Sequence, residues 1–168
     1  MKSCFTVVSG GAGADQFGKL QDSNLMARKL KDMRVVIFAS PEYLSANGRP
    51  FHPEELVGYN CLLFRSSTDS KNWHFNINGQ IVSYPVSGTF NADSPRAITN
   101  MSCGGLGIGI GPYYAVETHV KSGELELLFE DMEMDPMGLY AVYPENRHLT
   151  ARVRALIEYL VAWFNEKR

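Results

Sequence analysis

The chain of 168 residues is long enough for one globular domain, and 45% of its residues are hydrophobic, which is sufficient for a substantial core. Its formal net charge of −2 excludes a chain that holds nucleic acid by its own positive charge, because such proteins cluster Lys and Arg on one face. Three cysteines without a close pair exclude a disulfide framework and a Cys-x-x-Cys metal or redox motif.

The first apolar run, at residues 5–8, is too short for the core of a signal peptide. No apolar run in the sequence reaches the length of a membrane span. We therefore expect a cytoplasmic protein without a membrane partner.

A near match to a phosphate-binding loop lies at residues 13–20. The segment fits G-x-x-x-x-G-K, but Leu20 stands where the motif needs Ser or Thr to hold magnesium. The motif also needs a helix after its lysine, whereas residues 21–24 are typical of a turn. We interpret the match as coincidence and keep a nucleotide-binding enzyme that uses Lys19 as an alternative.

Beyond this segment, short strands alternate with short helices. A β-branched run at residues 35–39 predicts a strand buried on both faces. Ser40 and Pro41 then suit the N-cap and first position of a short helix that Gly48 ends. Residues 53–56 begin another short helix.

Two strands and a hairpin follow. Residues 61–64 predict a buried strand. Aromatic and polar residues alternate at 73–77 and lead into Asn78-Gly79, the strongest short hairpin signal, with residues 81–84 as the return arm. Residues 86–90 predict one more strand.

The segment at residues 91–112 predicts a strand end, a capped helix and a glycine-rich strand. Ser94 suits the N-cap and Pro95 the first helical position, and one of the glycines at 104–105 can end the helix. Apolar residues alternate with glycines at 106–111, which predicts a strand that another group approaches closely.

The start of this helix is a candidate ligand site. Asn91, Asp93 and Ser94 either cap the helix or flank N–H groups that are left to a ligand. A helix N-terminus favours negative charge, so an anionic ligand such as a carboxylate would suit the position. Ligands of open α/β sheets bind where strands lead into helices.

The last part of the chain contains its clearest helix. Residues 113–121 predict a helix ended by Gly123, and residues 125–129 and 139–143 predict extended segments. Apolar residues at 153–164 then recur with helical period. The whole alternation predicts an α/β fold with a mostly parallel sheet.

The sequence contains no catalytic motif. The four histidines are scattered and form no pair at ligand spacing on a helix, so no metal site is predicted. A G-x-S-x-G motif is absent, and acidic pairs at 54–55 and 130–131 are typical of solvated surface. We therefore predict a protein that is not an enzyme and that needs no cofactor.

Several segments in order resemble the effector domain of the LysR-type transcriptional regulators. The resemblance rests on residues 22–30, 39–44, 61–65 with Trp73, 104–112, 123–125, 140–144 and 147–154. It covers residues 16–168 with the expected spacing, whereas residues 1–15 do not resemble the family.

The resemblance implies the α/β fold of type 2 periplasmic binding proteins, with two subdomains and an effector held between them. Residues 39–137 would form the second subdomain completely, and residues 16–38 and 138–168 would form part of the first. Loss of the rest would uncover the final helix, so we expect marginal stability, homo-oligomers through apolar surface, or both.

The resemblance also implies a function. The chain would be an N-terminally truncated effector-sensing module that binds a small molecule, and DNA contact would require a helix-turn-helix domain without a counterpart here. The predicted ligand contacts are Phe64, Asn91, Ser94, Gly111 and Pro112. A stand-alone solute-binding protein of the periplasmic-binding type is the other alternative.

Overall fold

The structure is a computed structural model that describes residues 6–10, 25–65, 70–132, 134–144 and 151–166. The chain divides into two compact units, Met1–Met33 with Pro136–Arg168, and Arg34–Asp135. The near phosphate-binding loop at residues 13–20 lies outside the described residues.

Ten strands, four α-helices and one 3₁₀ helix are found in the described residues. In chain order these are β1 Thr6–Gly10, β2 Leu25–Met33, β3 Val35–Ala39, α1 Pro41–Asn47, the 3₁₀ helix Pro53–Gly58, β4 Leu63–Phe64, β5 Asn72–Ile77, β6 Gln80–Pro85, β7 Asn91–Ala92, α2 Pro95–Cys103, β8 Gly109–Pro112, α3 Tyr113–Ser122, β9 Glu126–Leu128, β10 Met137–Pro144 and α4 Ala151–Glu166. No helix among the described residues is long and apolar enough to cross a membrane.

The first unit is an antiparallel sheet with one helix. Its strand order is β1-β10-β2, with a bulge in the pairing of β10 with β2 between Leu139 and Tyr140. Helix α4 packs on β2 and buries Ile157 to 2% exposure. The strand predicted over residues 139–143 and the final helix are confirmed, whereas the sequence predicted neither β1 nor β2.

The second unit is built around β3, which pairs antiparallel with β8 on one side and β9 on the other. An isolated parallel bridge between Cys61 and Ile108 leads from β8 to the parallel pair of β4 and β7. The prediction of a mostly parallel sheet is wrong for the described strands. A strand buried on both faces has a continuous apolar sequence whether its neighbours run parallel or antiparallel to it, so the sequence pattern does not predict the direction of pairing.

Strand β3 is buried on both faces, as predicted. Ile37 belongs to a hydrophobic cluster that includes Trp73 of the β5–β6 hairpin. Phe38 belongs to a second cluster with Ile98 of α2 and Val116 of α3. Full burial of such a side chain stabilises the folded state by roughly 1.5–3 kcal/mol. Strand β3 therefore contributes to the hydrophobic clusters on both of its faces.

Local signals position most of the remaining elements. The Ser40 hydroxyl caps α1 by accepting a hydrogen bond from the Tyr43 N–H at 3.3 Å. Asn78 and Gly79 adopt positive φ values of 52° and 82°, the conformation of a tight hairpin turn. Gly123 ends α3 in the left-handed region, as predicted.

The strand predicted over residues 86–90 is wrong, and the strand is instead Asn91–Ala92. The N–H of Thr89 donates to the side-chain oxygen of Asn60 at 2.9 Å rather than to a neighbouring strand. The carbonyls of Ser87 and Phe90 accept the N–H groups of Cys61 and Leu63 at 2.9 Å and 3.0 Å, a spacing one residue too long for a regular strand. An added Cβ at Gly88 would lie 1.7 Å from the carbonyl oxygen of Cys61, so the two backbones are in direct contact there.

The close approach predicted for the glycine-rich strand is confirmed. An added Cβ at Gly107 would lie 2.2 Å from the carbonyl oxygen of Asn60, and one at Gly109 would lie 2.5 Å from the ring of Phe38. The glycines therefore let β8 pack directly against its neighbours.

Candidate functional site

Three strands of the second unit end along one edge. Strands β4 and β7 run parallel, with Phe64 opposite Ala92. The parallel bridge from Cys61 to Ile108 sets β8 in the same direction, so its last residue, Pro112, lies at the same edge. The carboxyl ends of parallel strands are the usual binding edge of α/β sheets.

Two helices begin at this edge. Ser94 is the N-cap of α2 with an extended backbone, but its hydroxyl accepts no hydrogen bond from the first turn of that helix. Helix α3 begins at Tyr113, directly after β8, and the Tyr113 N–H donates to the carbonyl of Arg34 at 2.8 Å. Both helix N-termini place partial positive charge at the edge.

Two arginines flank the same edge. Arg65 follows β4, has an exposed side chain, and donates its backbone N–H to the carbonyl of Ala92 at 2.8 Å. The Arg34 guanidinium lies 5.1 Å from the ring centroid of Tyr113 and 3.4 Å from a carboxylate oxygen of Glu130. Arg34 is thus partly neutralised, and Arg65 supplies the more available cation.

We call this region the strand-end surface and define it by Phe64, Arg65, Ala92, Ser94 and Pro112. The sequence prediction missed Arg65 and Arg34. The available signal was their position, since each directly adjoins a predicted buried strand and so must lie at its end.

Four of the five predicted ligand contacts lie at or next to the ends of these strands, whereas Asn91 lies at the start of one. Phe64 is half-buried at the end of β4, Ser94 is half-buried, and Pro112 is buried opposite Val35. Gly111 precedes Pro112 in β8. Asn91 is exposed and opens β7 rather than ending it.

A second group of chemically active side chains lies at the other ends of α2 and α3. One ligand-type atom from each of Cys103, His119 and Glu124 lies within 4.8 Å of the others. Nδ1 of His119 is 2.6 Å from a carboxylate oxygen of Glu124. Sequence spacing did not predict this group, because Cys103 reaches it from another helix.

The same contacts shift two ionisation equilibria. The hydrogen bond from His119 holds the pKa of Glu124 below its ordinary value. Burial raises the pKa of the Cys103 thiol, and the negative charge of Glu124 adds to that shift.

The remaining described cysteine lies in the core. Cys61 is fully buried, and burial raises the pKa of its thiol to about 12. The thiolate is the reactive form of cysteine, so this side chain serves packing rather than chemistry.

Curated relatives of this chain are transcriptional regulators. Residues 14–165 match the family described as the LysR substrate binding domain. The HTH-type transcriptional regulator CrgA of Neisseria meningitidis serogroup C is 32% identical over 145 residues, covering 86% of this chain and 48% of that protein. An HTH-type transcriptional regulator of Haemophilus influenzae is 30% identical over 141 residues, covering 84% of this chain and 49% of that protein. The chain therefore spans about half the length of these relatives.

Solved structures give the same fold. The regulatory domain of CrgA, a LysR-type transcriptional regulator from Neisseria meningitidis, superimposes with a TM-score of 0.75 and 29% identity, covering 95% of this chain and 74% of that chain. Regulatory domains of this kind have the α/β fold of periplasmic binding proteins, which confirms the fold class inferred from the sequence.

Proposed function

The chain belongs to the LysR substrate-binding domain family, and on that premise we propose that it binds a small anionic effector at the strand-end surface. The observation that carries the proposal is the convergence of three strand ends with the first turns of α2 and α3. Such convergence brings the positive ends of two helix dipoles to one place, where they favour an anion.

Electrostatics support an anion over a neutral ligand. Both helix N-termini carry partial positive charge, and Arg65 adds a full charge beside them. The Ser94 hydroxyl accepts no bond from its own helix and can serve a carboxylate as a donor. Phe64 supplies a half-buried apolar surface for the rest of the ligand.

The subdomain assignment is also a proposal. We take residues 39–137 as the counterpart of the family's second subdomain, and residues 16–38 with 138–168 as part of the first. The compact unit Arg34–Asp135 supports this division, because its bounds fall close to the proposed ones.

The role of the whole protein follows from its relatives. We propose a sensing role rather than a catalytic one, in which effector binding shifts the population of states of a DNA-binding regulator. DNA would be contacted through a helix-turn-helix domain, and the exposed apolar side chains of α4 would support self-association. The naming of the relatives as HTH-type transcriptional regulators supports this assignment.

Calorimetric titration with matched ligand pairs tests the proposal. Each pair consists of a small carboxylate and the neutral amide of the same shape, for example benzoate and benzamide. We expect at least one carboxylate to bind, and its amide to bind at least ten-fold more weakly, because only the carboxylate meets the positive edge. Equal affinity within every binding pair would contradict an anionic site.

Variants locate the binding. We expect Arg65→Gln and Ser94→Ala each to weaken carboxylate binding by roughly five- to thirty-fold, which corresponds to about 1–2 kcal/mol for a charge-assisted hydrogen bond. Ser83→Ala is the matched control, because Ser83 is exposed on β6 and should leave affinity unchanged. Unchanged carboxylate affinity in both variants would show that the strand-end surface is not the binding site.

A further inference from the structure

We propose that Cys103, His119 and Glu124 form a binding site for a divalent transition-metal ion of the zinc type. The three side chains offer one sulfur, one imidazole nitrogen and one carboxylate oxygen, all within 4.8 Å of one another. These are the three protein ligand types that zinc uses, and three protein ligands leave the fourth tetrahedral position for water.

The distances allow closure around an ion without rebuilding the fold. Tetrahedral coordination with ordinary zinc–sulfur and zinc–nitrogen bonds separates the ligand atoms by about 3.3–3.6 Å. The Glu124 side chain is 61% exposed and the His119 side chain 33% exposed, so a carboxylate rotation opens their 2.6 Å contact and admits the ion. Exposure of these two side chains also gives the ion an entry path.

The backbone already holds the group together. Gly123 turns the chain in the left-handed region directly after α3, which returns Glu124 towards His119. The carbonyl of His119 accepts hydrogen bonds from the Leu125 N–H and the Ser122 hydroxyl, both at 3.1 Å. This turn fixes two ligands on one short segment, and α2 brings the third.

Helix electrostatics favour a cation at this place. Cys103 is the last residue of α2, and His119 lies in the last turn of α3. The C-terminal end of a helix carries partial negative charge, and here two such ends meet at the ligand group. The nearby cation Lys121 is held 2.7 Å from Glu117 and is thereby partly neutralised.

Charge balance also fits a divalent ion. Binding releases the thiol proton of Cys103 to solvent, and His119 binds as a neutral imidazole that keeps its proton on the other ring nitrogen. One thiolate and one carboxylate then compensate the two positive charges. The site lies at the ends of α2 and α3 opposite to the strand-end surface, and α2 alone separates them by about 13 Å. The metal site therefore stands independently of the proposed effector.

Cobalt(II) alone, added to the full chain under a phosphine reductant, is the probe. We expect one equivalent to bind, with a thiolate-to-cobalt charge-transfer band and the visible bands of tetrahedral cobalt, and Zn²⁺ to displace it. Cys103→Ser should abolish the charge-transfer band. Glu124→Gln should weaken cobalt binding by at least ten-fold, and its exposed position keeps it foldable if the cysteine variant fails to fold.

A matched control changes a histidine outside the group. His74→Gln, on the exposed face of β5, should leave the spectrum and the affinity unchanged. The proposal is overturned if no charge-transfer band forms at millimolar cobalt, if the band persists in Cys103→Ser, or if Glu124→Gln and His74→Gln bind cobalt equally well.

Discussion

The side-chain amide of Asn60 donates a hydrogen bond to the backbone carbonyl of Leu106 across 2.7 Å. The other end of the same amide accepts the N–H of Thr89 at 2.9 Å. Asn60 precedes β4, while Thr89 and Leu106 lie just before β7 and β8. One side chain therefore fixes the approach of two strands that end at the strand-end surface.

Removal of this side chain should destabilise the second unit. We expect Asn60→Ala to lower the free energy of unfolding by about 1–2 kcal/mol, because two backbone groups lose their partner and water replaces it only in part. Urea unfolding measures the change. Asn100→Ala, at an exposed position in α2, is the control and should cost little. Equal unfolding midpoints for the two variants would contradict the bridging role of Asn60.

The core around the first residue of β8, Gly109, should have no room for a side chain. A methyl group there would meet the fully buried ring of Phe38 at 2.5 Å and Ile98 at 3.0 Å. We expect Gly109→Ala to cost about 1–3 kcal/mol, as overpacking of a close-packed core does. Gly58→Ala adds the same methyl group where no atom lies within 4 Å. A thermal melt should show a lower midpoint only for the Gly109 variant.

Local chemistry explains which elements the sequence predicted well. Ser40 with Pro41, Asn78 with Gly79, and Gly123 each act through their own backbone neighbourhood, so the structure places a cap, a hairpin and a helix end where they were expected. The strand-end surface was partly predictable for the same reason, because Ser94 and Pro112 border predicted elements.

Long-range chemistry explains the rest. The direction of β8 and β9 relative to β3, the capture of the Thr89 N–H by Asn60 and the meeting of Cys103 with His119 depend on residues far apart in sequence. Phe129 adopts a positive φ of 57° although it is not a glycine, and its buried ring packs edge-on against Phe75. This conformation accompanies a contact between residues far apart in sequence, and no local sequence pattern predicts it.

The two described cysteines should differ in reactivity. Cys61 is fully buried, whereas Cys103 is only partly buried. We expect iodoacetamide at pH 8 to modify Cys103 in the native protein and to leave Cys61 unmodified until the protein unfolds. Peptide mass spectrometry distinguishes the two sites. Equal labelling rates would show that the core around Cys61 opens readily.

Cys61 should also make stability fall at alkaline pH. Burial raises the pKa of the Cys61 thiol from its ordinary value of 9.0 to about 12, so between these values the folded state keeps a proton that the unfolded chain releases. The contribution of Cys61 to the free energy of unfolding is therefore constant below pH 9 and decreases above it, by up to about 1.4 kcal/mol per pH unit. Cys61→Ala should flatten this part of the pH–stability curve. An unchanged slope would contradict the raised pKa.

Exposed apolar side chains on α4 should drive association. Leu156, Tyr159 and Trp163 are 44%, 63% and 37% exposed on this one helix. We expect sedimentation velocity to show a concentration-dependent increase in mass, and the double variant Leu156→Gln, Trp163→Gln to reduce it. Ala162→Gln, also exposed on α4, is the control. A wild-type chain that stays monomeric at high concentration would contradict this expectation.

The most direct test of an effector site at the strand-end surface is a ¹H–¹⁵N correlation titration of the full chain with the tightest-binding carboxylate. We expect saturable shifts concentrated at Phe64, Arg65, Ser94, Arg96 and Tyr113, with the neutral amide producing much smaller changes at the same positions. Saturable shifts confined to other surfaces, such as the β5–β6 hairpin, would contradict it.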